Sequence, residues 1–292
     1  MLWIYTIILM YLFKKSRDLQ AFLTSFRERG LRIGFVPTMG ALHAGHLSLI
    51  RQSLDMAHLT VCSIFVNPTQ FNEAADLQKY PRTPGRDLEL LHRSGCHVAF
   101  LPAVEEVYPP SEEVAIPEVK LGHLAEVMEG AHRPGHFEGV MQVVKRLISL
   151  VEPSHLFMGR KDYQQLVIIQ EMVRQLQLGV EVIGCPTLRD PDGLAMSSRN
   201  ARLSPEERQQ ALAIYQTLTA AAGWLDTLAP PALKAKAMKA LKGAGLQPEY
   251  FELARADTLQ IVDAFAGGQP IIACTAARAG SVRLIDNFLV RP

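Results

Sequence analysis

From Arg32 onward, short apolar runs alternate with stretches whose apolar residues recur every three to four positions. The runs predict buried strands at 33–36, 59–66, 98–101, 155–158 and 180–183. The periodic stretches predict helices at 46–57, 86–94, 121–129, 135–150 and 163–176. In the first of these, Leu47, Ile50 and Leu54 share one face, and in the fourth Val140 and Val143 point inwards. Strand–helix alternation of this kind predicts an α/β domain, a parallel sheet with helices on both faces. Such sheets bind ligands beyond the carboxyl ends of their strands.

The pattern changes after Cys185-Pro186. Ser204-Pro205-Glu206-Glu207 is a capping box with proline at the first helical position, and it opens an Ala-rich helix towards Trp224. Pro230-Pro231 breaks the chain before a second helix at 232–244. Strands at 250–254, 271–277 and 282–289 then suit a smaller sheet. The boundary is placed near residue 185, giving an α/β domain at 1–185 and a smaller α+β domain at 186–292.

Composition narrows the function classes. The 292 residues carry 30 Lys+Arg against 29 Asp+Glu, a formal charge of +1. No basic stripe marks a nucleic-acid binder. Cys62, Cys96, Cys185 and Cys274 form no C-x-x-C pair, so neither a disulfide framework nor a zinc ribbon is expected, and a reducing cytoplasmic compartment follows. An uncharged run at 2–13 falls short of the roughly 20 apolar residues that span a bilayer. It lacks the flanks of a signal peptide. It reads as a buried first strand behind a short extension, residues 1–9, with Met10 a second start position and Tyr11-Leu12-Phe13 sufficient for the strand.

The chemistry concentrates in Pro37-Thr38-Met39-Gly40-Ala41-Leu42-His43-Ala44-Gly45-His46. It joins a predicted buried strand to an amphipathic helix. Gly40 and Gly45 permit a tight turn, the helix start is expected to offer unpaired N–H groups to an anion, and two imidazoles arrive at the same mouth as donors. Four further segments follow: Phe65-Val66-Asn67-Pro68-Thr69-Gln70-Phe71, then Tyr80-Pro81-Arg82-Thr83-Pro84, then the stretch from Gly159 to Leu166, then the stretch from Arg189 to Asn200.

H-x-G-H between strand and helix is the signature of the nucleotidyltransferase superfamily, which uses an ATP α-phosphate as electrophile. With the four further segments in order, the chain from about Met10 to its end resembles the pantoate–β-alanine ligase family. The resemblance implies a Rossmann-like sheet for residues 1–185, binding nucleotide and pantoate, with residues 186–292 as a lid. It also implies an ATP-dependent ligation in two half-reactions through an enzyme-bound pantoyl adenylate, with β-alanine as the amine, magnesium beside ATP, and a homodimer.

Site residues carry over one by one as implications of that resemblance. His46 and His43 stabilise the α-phosphate, His46 donating a proton, and Lys161 binds phosphate. ATP is further assigned to Met39, Gly40, Ala41, Leu42, Ala44 and Gly45. In the later segments it is assigned to Gly159, Arg160, Asp162, Leu188, Met196, Ser197, Ser198 and Arg199. The last three resemble the mobile loop of other adenylating enzymes. Gln70 and Gln165 hold pantoate, with Asn67 and Tyr80 lining the same cavity. Asp87 is the acid nearest to a magnesium role, although no protein metal site is expected, and His136 supports the site from behind.

Two departures stand out. Arg160 replaces the family's usual Glu, and Ala44, expected to point outward, replaces a frequent acid. Three other readings remain: a transferase whose acceptor keeps AMP or CMP, an RNA-binding module, and a non-catalytic nucleotide binder. The first leaves Gln70 and Gln165 without a shared task, charge opposes the second, and retention of all the motifs opposes the third.

Overall fold

The computed structural model describes residues 9–71, 74–265 and 267–291. In chain order the first elements are β1 (Tyr11–Phe13), α1 (Ser16–Glu28), β2 (Ile33–Thr38), α2 (Ala44–Met56), β3 (Leu59–Ile64), α3 (Ala74–Lys79), α4 (Pro84–Arg93) and β4 (Val98–Phe100). Next come α5 (Val104–Val107), α6 (Met128–His132), α7 (His136–Val151), β5 (His155–Gly159), α8 (Tyr163–Gln175) and β6 (Glu181–Cys185). The last five are α9 (Pro205–Trp224), α10 (Pro230–Gly243), β7 (Gln247–Arg255), β8 (Ile271–Ala279) and β9 (Val282–Arg291).

These elements form two compact units. One holds the chain up to Val119 with Gly135–Gly159 and Ile169–Cys185; the other holds Lys120–Pro134, Arg160–Ile168 and the chain from Pro186. The first contains a six-stranded, wholly parallel sheet of order β1-β4-β3-β2-β5-β6. Crossover helices cover such a sheet on both faces, which is why its central strands read as unbroken apolar runs. β3 is buried along its whole length. The Thr60 hydroxyl shares a hydrogen bond with Ser53 of α2 at 2.9 Å, which offsets its desolvation, while the carbonyl of Ser63 accepts from Thr38 at 2.7 Å.

Strand order reverses beside β2, whose neighbours are β3 and β5, so the carboxyl ends of β2 and β5 flank the crevice where α/β sheets bind ligands. The turn from Met39 to His43 leaves β2 at that point, and Gly159 ends β5 there.

Several expectations need correction. β1 and β6 are the sheet's edges, so Tyr11 and Leu12 are exposed and β6 is only partly covered, where buried strands were expected. The earlier part of the 2–13 run, residues 2–8, lies outside the described residues. The helix expected at 121–129 is split into a 3-10 turn at Gly122–Ala125 and α6, because Val127 between them is extended (φ −114°, ψ 159°) and Met128 takes a left-handed φ of 46°. On α2 the buried positions are Leu49, Ile50 and Ser53, one step round from Leu47. On α7 Val140 and Val143 are buried as expected, within a helix covered on most sides.

In the second unit, α9 starts at the Ser204–Glu207 capping box, with both reciprocal hydrogen bonds formed (2.8 and 3.2 Å). α9 and α10 bury Ile214, Leu218, Leu233 and Leu241 in one core with Phe251 and Leu253 of the antiparallel sheet β7-β8-β9. A buried charge sits at the edge of this core. The Glu129 carboxylate, 6% exposed, accepts two hydrogen bonds from Arg283 (2.7 and 2.8 Å) and one from the Tyr250 hydroxyl (2.9 Å). Burial alone would raise the Glu129 pKa, but the Arg283 guanidinium outweighs it and holds the carboxyl below its usual range.

Because the folded-state pKa lies below that of the unfolded chain, this contribution is complete above about pH 4.3. It is lost as the pH falls through the folded-state value. Glu129→Gln should therefore destabilise the second unit by about 1–3 kcal/mol at neutral pH, since a buried Arg283 loses one of its two carboxylate partners and keeps only Glu249 (2.8 Å). The variant's thermal midpoint should also fall less than the wild type's as the pH drops below about 4; an identical acid profile in the two proteins would refute the assignment.

Candidate active site

The turn after β2 has to dispose of a series of backbone N–H groups, and the structure gives partners to those of residues 40–43 and 45. Gly40 N donates to Thr38 Oγ1 (3.2 Å), Ala41 N to Asp87 Oδ2 (3.0 Å) and Leu42 N to Asp87 Oδ1 (2.8 Å). His43 N donates to His46 Nδ1 (3.3 Å), and Gly45 N donates to His43 Nδ1 (3.1 Å). The two histidines thus form a capping box for α2, with imidazole nitrogens in the place usually taken by Ser and Glu. Unpaired N–H groups were expected here as the anion site. The amides of residues 40–43 and 45 instead bond within the protein, as partly buried donors must.

This bonding fixes proton positions. A ring nitrogen that accepts from a backbone N–H carries no proton, so each neutral imidazole bears its hydrogen on Nε2, which is the donor atom of both rings. The two rings lie 4.0 Å apart, centroid to centroid, inclined by 36°. Ala44 is exposed, as expected.

Asp87, expected as the nearest acid to magnesium, anchors the turn. It is 1% exposed, and besides the two amides it accepts the Thr83 hydroxyl at 3.1 Å. Gly40, at φ 79°, approaches it so closely that a Cβ would lie 3.0 Å from Oδ2. Among the described residues no three His, Cys, Asp or Glu side chains converge. The donors present therefore do not fit a magnesium ion held by the protein alone.

Gln70 reaches the same turn from the end of β3. Its Nε2 lies 3.1 Å from the sulfur of Met39, and its Oε1 accepts from Asn67 Nδ2 at 3.3 Å. Asn67 is itself 1% exposed and is held by Tyr108 (3.0 Å) and the Gly139 carbonyl (3.3 Å). Its place is behind Gln70. His136 donates through Nδ1 to the Gln70 carbonyl at 3.0 Å. Gly139 lets α7 approach this turn: a Cβ there would meet the Thr69 carbonyl oxygen at 2.5 Å. Tyr80 is buried, edge-on to Phe71.

The remaining expected residues, apart from Gly159, belong to the second unit. Lys161 is partly buried, its Nζ 3.7 Å from Asp162 Oδ1. The side chain of Arg160 is exposed, while its carbonyl is bonded inside the unit (2.9 Å from Asn287 Nδ2), so the exchange for Glu affects a surface position. Ser197 caps a 3-10 turn over Ser198–Arg202, accepting from Arg199 N at 3.3 Å. Gln165 is half-buried and Leu188 exposed, whereas neighbouring Gln164 is buried and bonded to the backbone of Leu124, Val127 and Glu129.

A parallel sheet that carries an H-x-G-H turn from its switch-point strand into a helix defines an HxGH-type nucleotidyltransferase fold. The sequence profile described as pantoate-beta-alanine ligase matches residues 11–289. The chain is 48% identical over 277 residues to a pantothenate synthetase of Bacteroides fragilis, spanning 93% of this chain and 96% of that protein. For a pantothenate synthetase of Porphyromonas gingivalis the identity is 44% over 280 residues, 96% and 99% of the two chains. Among solved structures, a pantothenate synthetase of Thermus thermophilus superposes with a TM-score of 0.88 at 38% identity, covering 97% of this chain and 100% of that one. A pantoate-beta-alanine ligase of Francisella tularensis, crystallised with beta-gamma ATP and beta-alanine, does so with 0.80 at 32% identity, covering 97% and 98%. The chain belongs to the pantoate–β-alanine ligase family and is a ligase that forms a carbon–nitrogen bond.

Asp87→Asn tests the anchor. The new amide presents one donor where the turn needs two acceptors, which orphans a buried N–H at a cost of about 1–3 kcal/mol. The urea midpoint of the first unit should fall accordingly, and an unchanged midpoint would show that the carboxylate does not hold the turn.

Proposed function

We propose that the chain joins pantoate to β-alanine through a pantoyl adenylate, with ATP, as its magnesium complex, the co-substrate. A carboxylate resists attack by an amine because oxide would have to leave. In the first half-reaction a pantoate carboxylate oxygen attacks the ATP α-phosphorus, and the bond from that phosphorus to pyrophosphate breaks. In the second the β-alanine nitrogen attacks the acyl carbon, AMP leaves with the carbon–oxygen bonding pair, and the nitrogen gives up a proton.

The observation that carries this reading is the histidine-capped turn with Gln70 beside it. His43 and His46 have their donor atom fixed as Nε2, suited to an α-phosphate oxygen whose charge shifts during displacement. Gln70, tethered next to Met39, supplies an amide that donates to the pantoate carboxylate without adding negative charge. Lys161, Ser197, Ser198 and Arg199 are assigned to the phosphates, where a flexible ammonium and a planar guanidinium do different work. Gln165 completes the pantoate contacts, and the second unit serves as a lid that excludes water from the adenylate. The same reading makes the enzyme a cytoplasmic homodimer. Four buried free cysteines support a reducing compartment, and among the described residues no helix is long and apolar enough to cross a membrane.

An isotope assay separates the ligase from a simple nucleotidyl transfer. AMP formation should require both pantoate and β-alanine, while pyrophosphate exchange into ATP should require pantoate alone; a stable nucleotidylated acceptor, indifferent to β-alanine, would refute the ligase mechanism. His46→Ala should slow pantoate-dependent exchange by about 10²–10³-fold, the effect of losing one transition-state donor. Near-normal turnover in the folded variant removes His46 from the chemistry. Gln70→Ala should raise the KM for pantoate while leaving that for ATP near its starting value, and the opposite split would displace Gln70 from the pantoate site.

A further inference from the structure

Two polar residues interrupt the apolar register of β9. Asp286 is 5% and Asn287 9% exposed, and neither belongs to the residues assigned to substrate. Asn287 Nδ2 donates to the carbonyls of Arg160 (2.9 Å) and Lys161 (2.8 Å), in the turn that carries the lysine assigned to phosphate. Asp286 faces a second segment. Its carboxylate takes Arg189 in a two-point contact, Nη1 to Oδ2 at 2.6 Å and Nη2 to Oδ1 at 3.0 Å, and Arg189 Nη2 also donates to the Asn287 carbonyl at 3.2 Å.

Arg189 is held from two further sides. Its guanidinium carbon stacks 3.9 Å from the centre of the Tyr215 ring, and its Nη1 donates to the Gly193 carbonyl at 3.2 Å. Arg189 also starts a small antiparallel bend. It bridges Ala195, Met196 N donates to the Leu188 carbonyl at 3.0 Å, and Asn200 Nδ2 ties back to the Ala195 carbonyl at 3.0 Å. Ser197, Ser198 and Arg199 lie between those ties. One dipeptide therefore holds both the turn at Arg160–Asp162 and the bend that carries the serine–arginine segment, and all of these residues lie in the second unit.

We propose that Asp286 and Asn287 are positioning residues that fix the spacing between Lys161 and the Ser197–Ser198–Arg199 segment, so that the two sets of phosphate contacts move as one body. The inference rests on the assignment of those residues to ATP and adds what couples them. Polar pairs buried in a strand cost stability unless fully bonded. Here Asn287 N donates to Asp286 Oδ1 at 2.8 Å within the pair, and the side-chain bonds to other segments go to those that carry assigned phosphate contacts. A displacement of about 1 Å at such contacts costs up to about 10²-fold in rate, which sets the size of the expected effect.

The test is a double-mutant cycle on the full chain, read as pantoate-dependent pyrophosphate exchange. Asn287→Ala should lower kcat by about 10²-fold while the KM for pantoate stays within about twofold. Placed in a Lys161→Ala background, the same change should add less than about threefold, because its effect runs through the lysine. An equal loss in both backgrounds, a rise in pantoate KM alone, or full activity in the folded variant would each overturn the coupling. Should Asn287→Ala not fold, Arg189→Lys against Ser198→Ala carries the same test, with the same non-additivity expected. Wild-type exchange in Lys161→Ala itself overturns both the assignment of the lysine and the coupling built on it. A slow Lys161→Ala beside an unimpaired Asn287→Ala overturns the coupling alone.

Discussion

A backbone N–H that leaves water must find an acceptor, and this constraint shapes the segment after β2 more than any other. A turn with left-handed Gly40 and Ala41, followed at once by a helix start, brings a run of such groups into one small space. The chain recruits Thr38, Asp87, His43 and His46 as acceptors. Everything distinctive about the site follows. Asp87 is buried because it serves two amides at once. The imidazoles are oriented because their Nδ1 atoms are caps, and their protons sit on Nε2 for the same reason. The amides of residues 40–43 and 45 are thereby occupied within the protein, and under the proposed function anion recognition falls to side chains.

The second unit obeys the same rule with different groups. Gln164 satisfies the backbone around Leu124, Val127 and Glu129, Glu129 is compensated by Arg283 and Tyr250, and Asn287 satisfies the turn of Lys161. Each is a buried polar group whose partners lie far away in the chain, so each ties together segments that local propensity leaves independent. Such bonds contribute modest net stability, but leaving one partner unpaired is costly. They therefore specify one arrangement of loops strongly while adding little to its free energy.

This difference also separates what could be read in the sequence from what could not. The strands at 33–36 and 59–66, the α9 capping box and the H-x-G-H turn are written in local pattern, because periodicity, caps and turn residues act over a few positions. The exposed edges β1 and β6 were not legible, since an apolar run looks the same at the rim of a sheet as at its centre. The break near Met128 was hidden because a methionine with positive φ carries no sequence mark. Asp87 read as an ordinary acid in the first turn of a helix; its bond to a turn 46 residues earlier appears only in three dimensions. In β9 the pair Asp286-Asn287 resembles a turn signal more than a strand, and only its register beside β8 shows it to be buried. Gln164 and Gln165 are indistinguishable as letters, and helical phase alone buries one and leaves the other half-exposed.

The division of donors suits the proposed chemistry. Pantoate and ATP bring two anions together, and after pyrophosphate departs the adenylate retains far less charge. Groups that stay with the α-phosphate through both half-reactions do best as neutral hydrogen bonds, because a fixed full charge would bind the intermediate and AMP too weakly or the triphosphate too strongly for one geometry to serve both. Imidazoles capped through Nδ1 present Nε2 as their donor there. Full cations suit the places where phosphate charge is concentrated, and the cations proposed to bind phosphate, Lys161 and Arg199, lie in a different compact unit from the histidines.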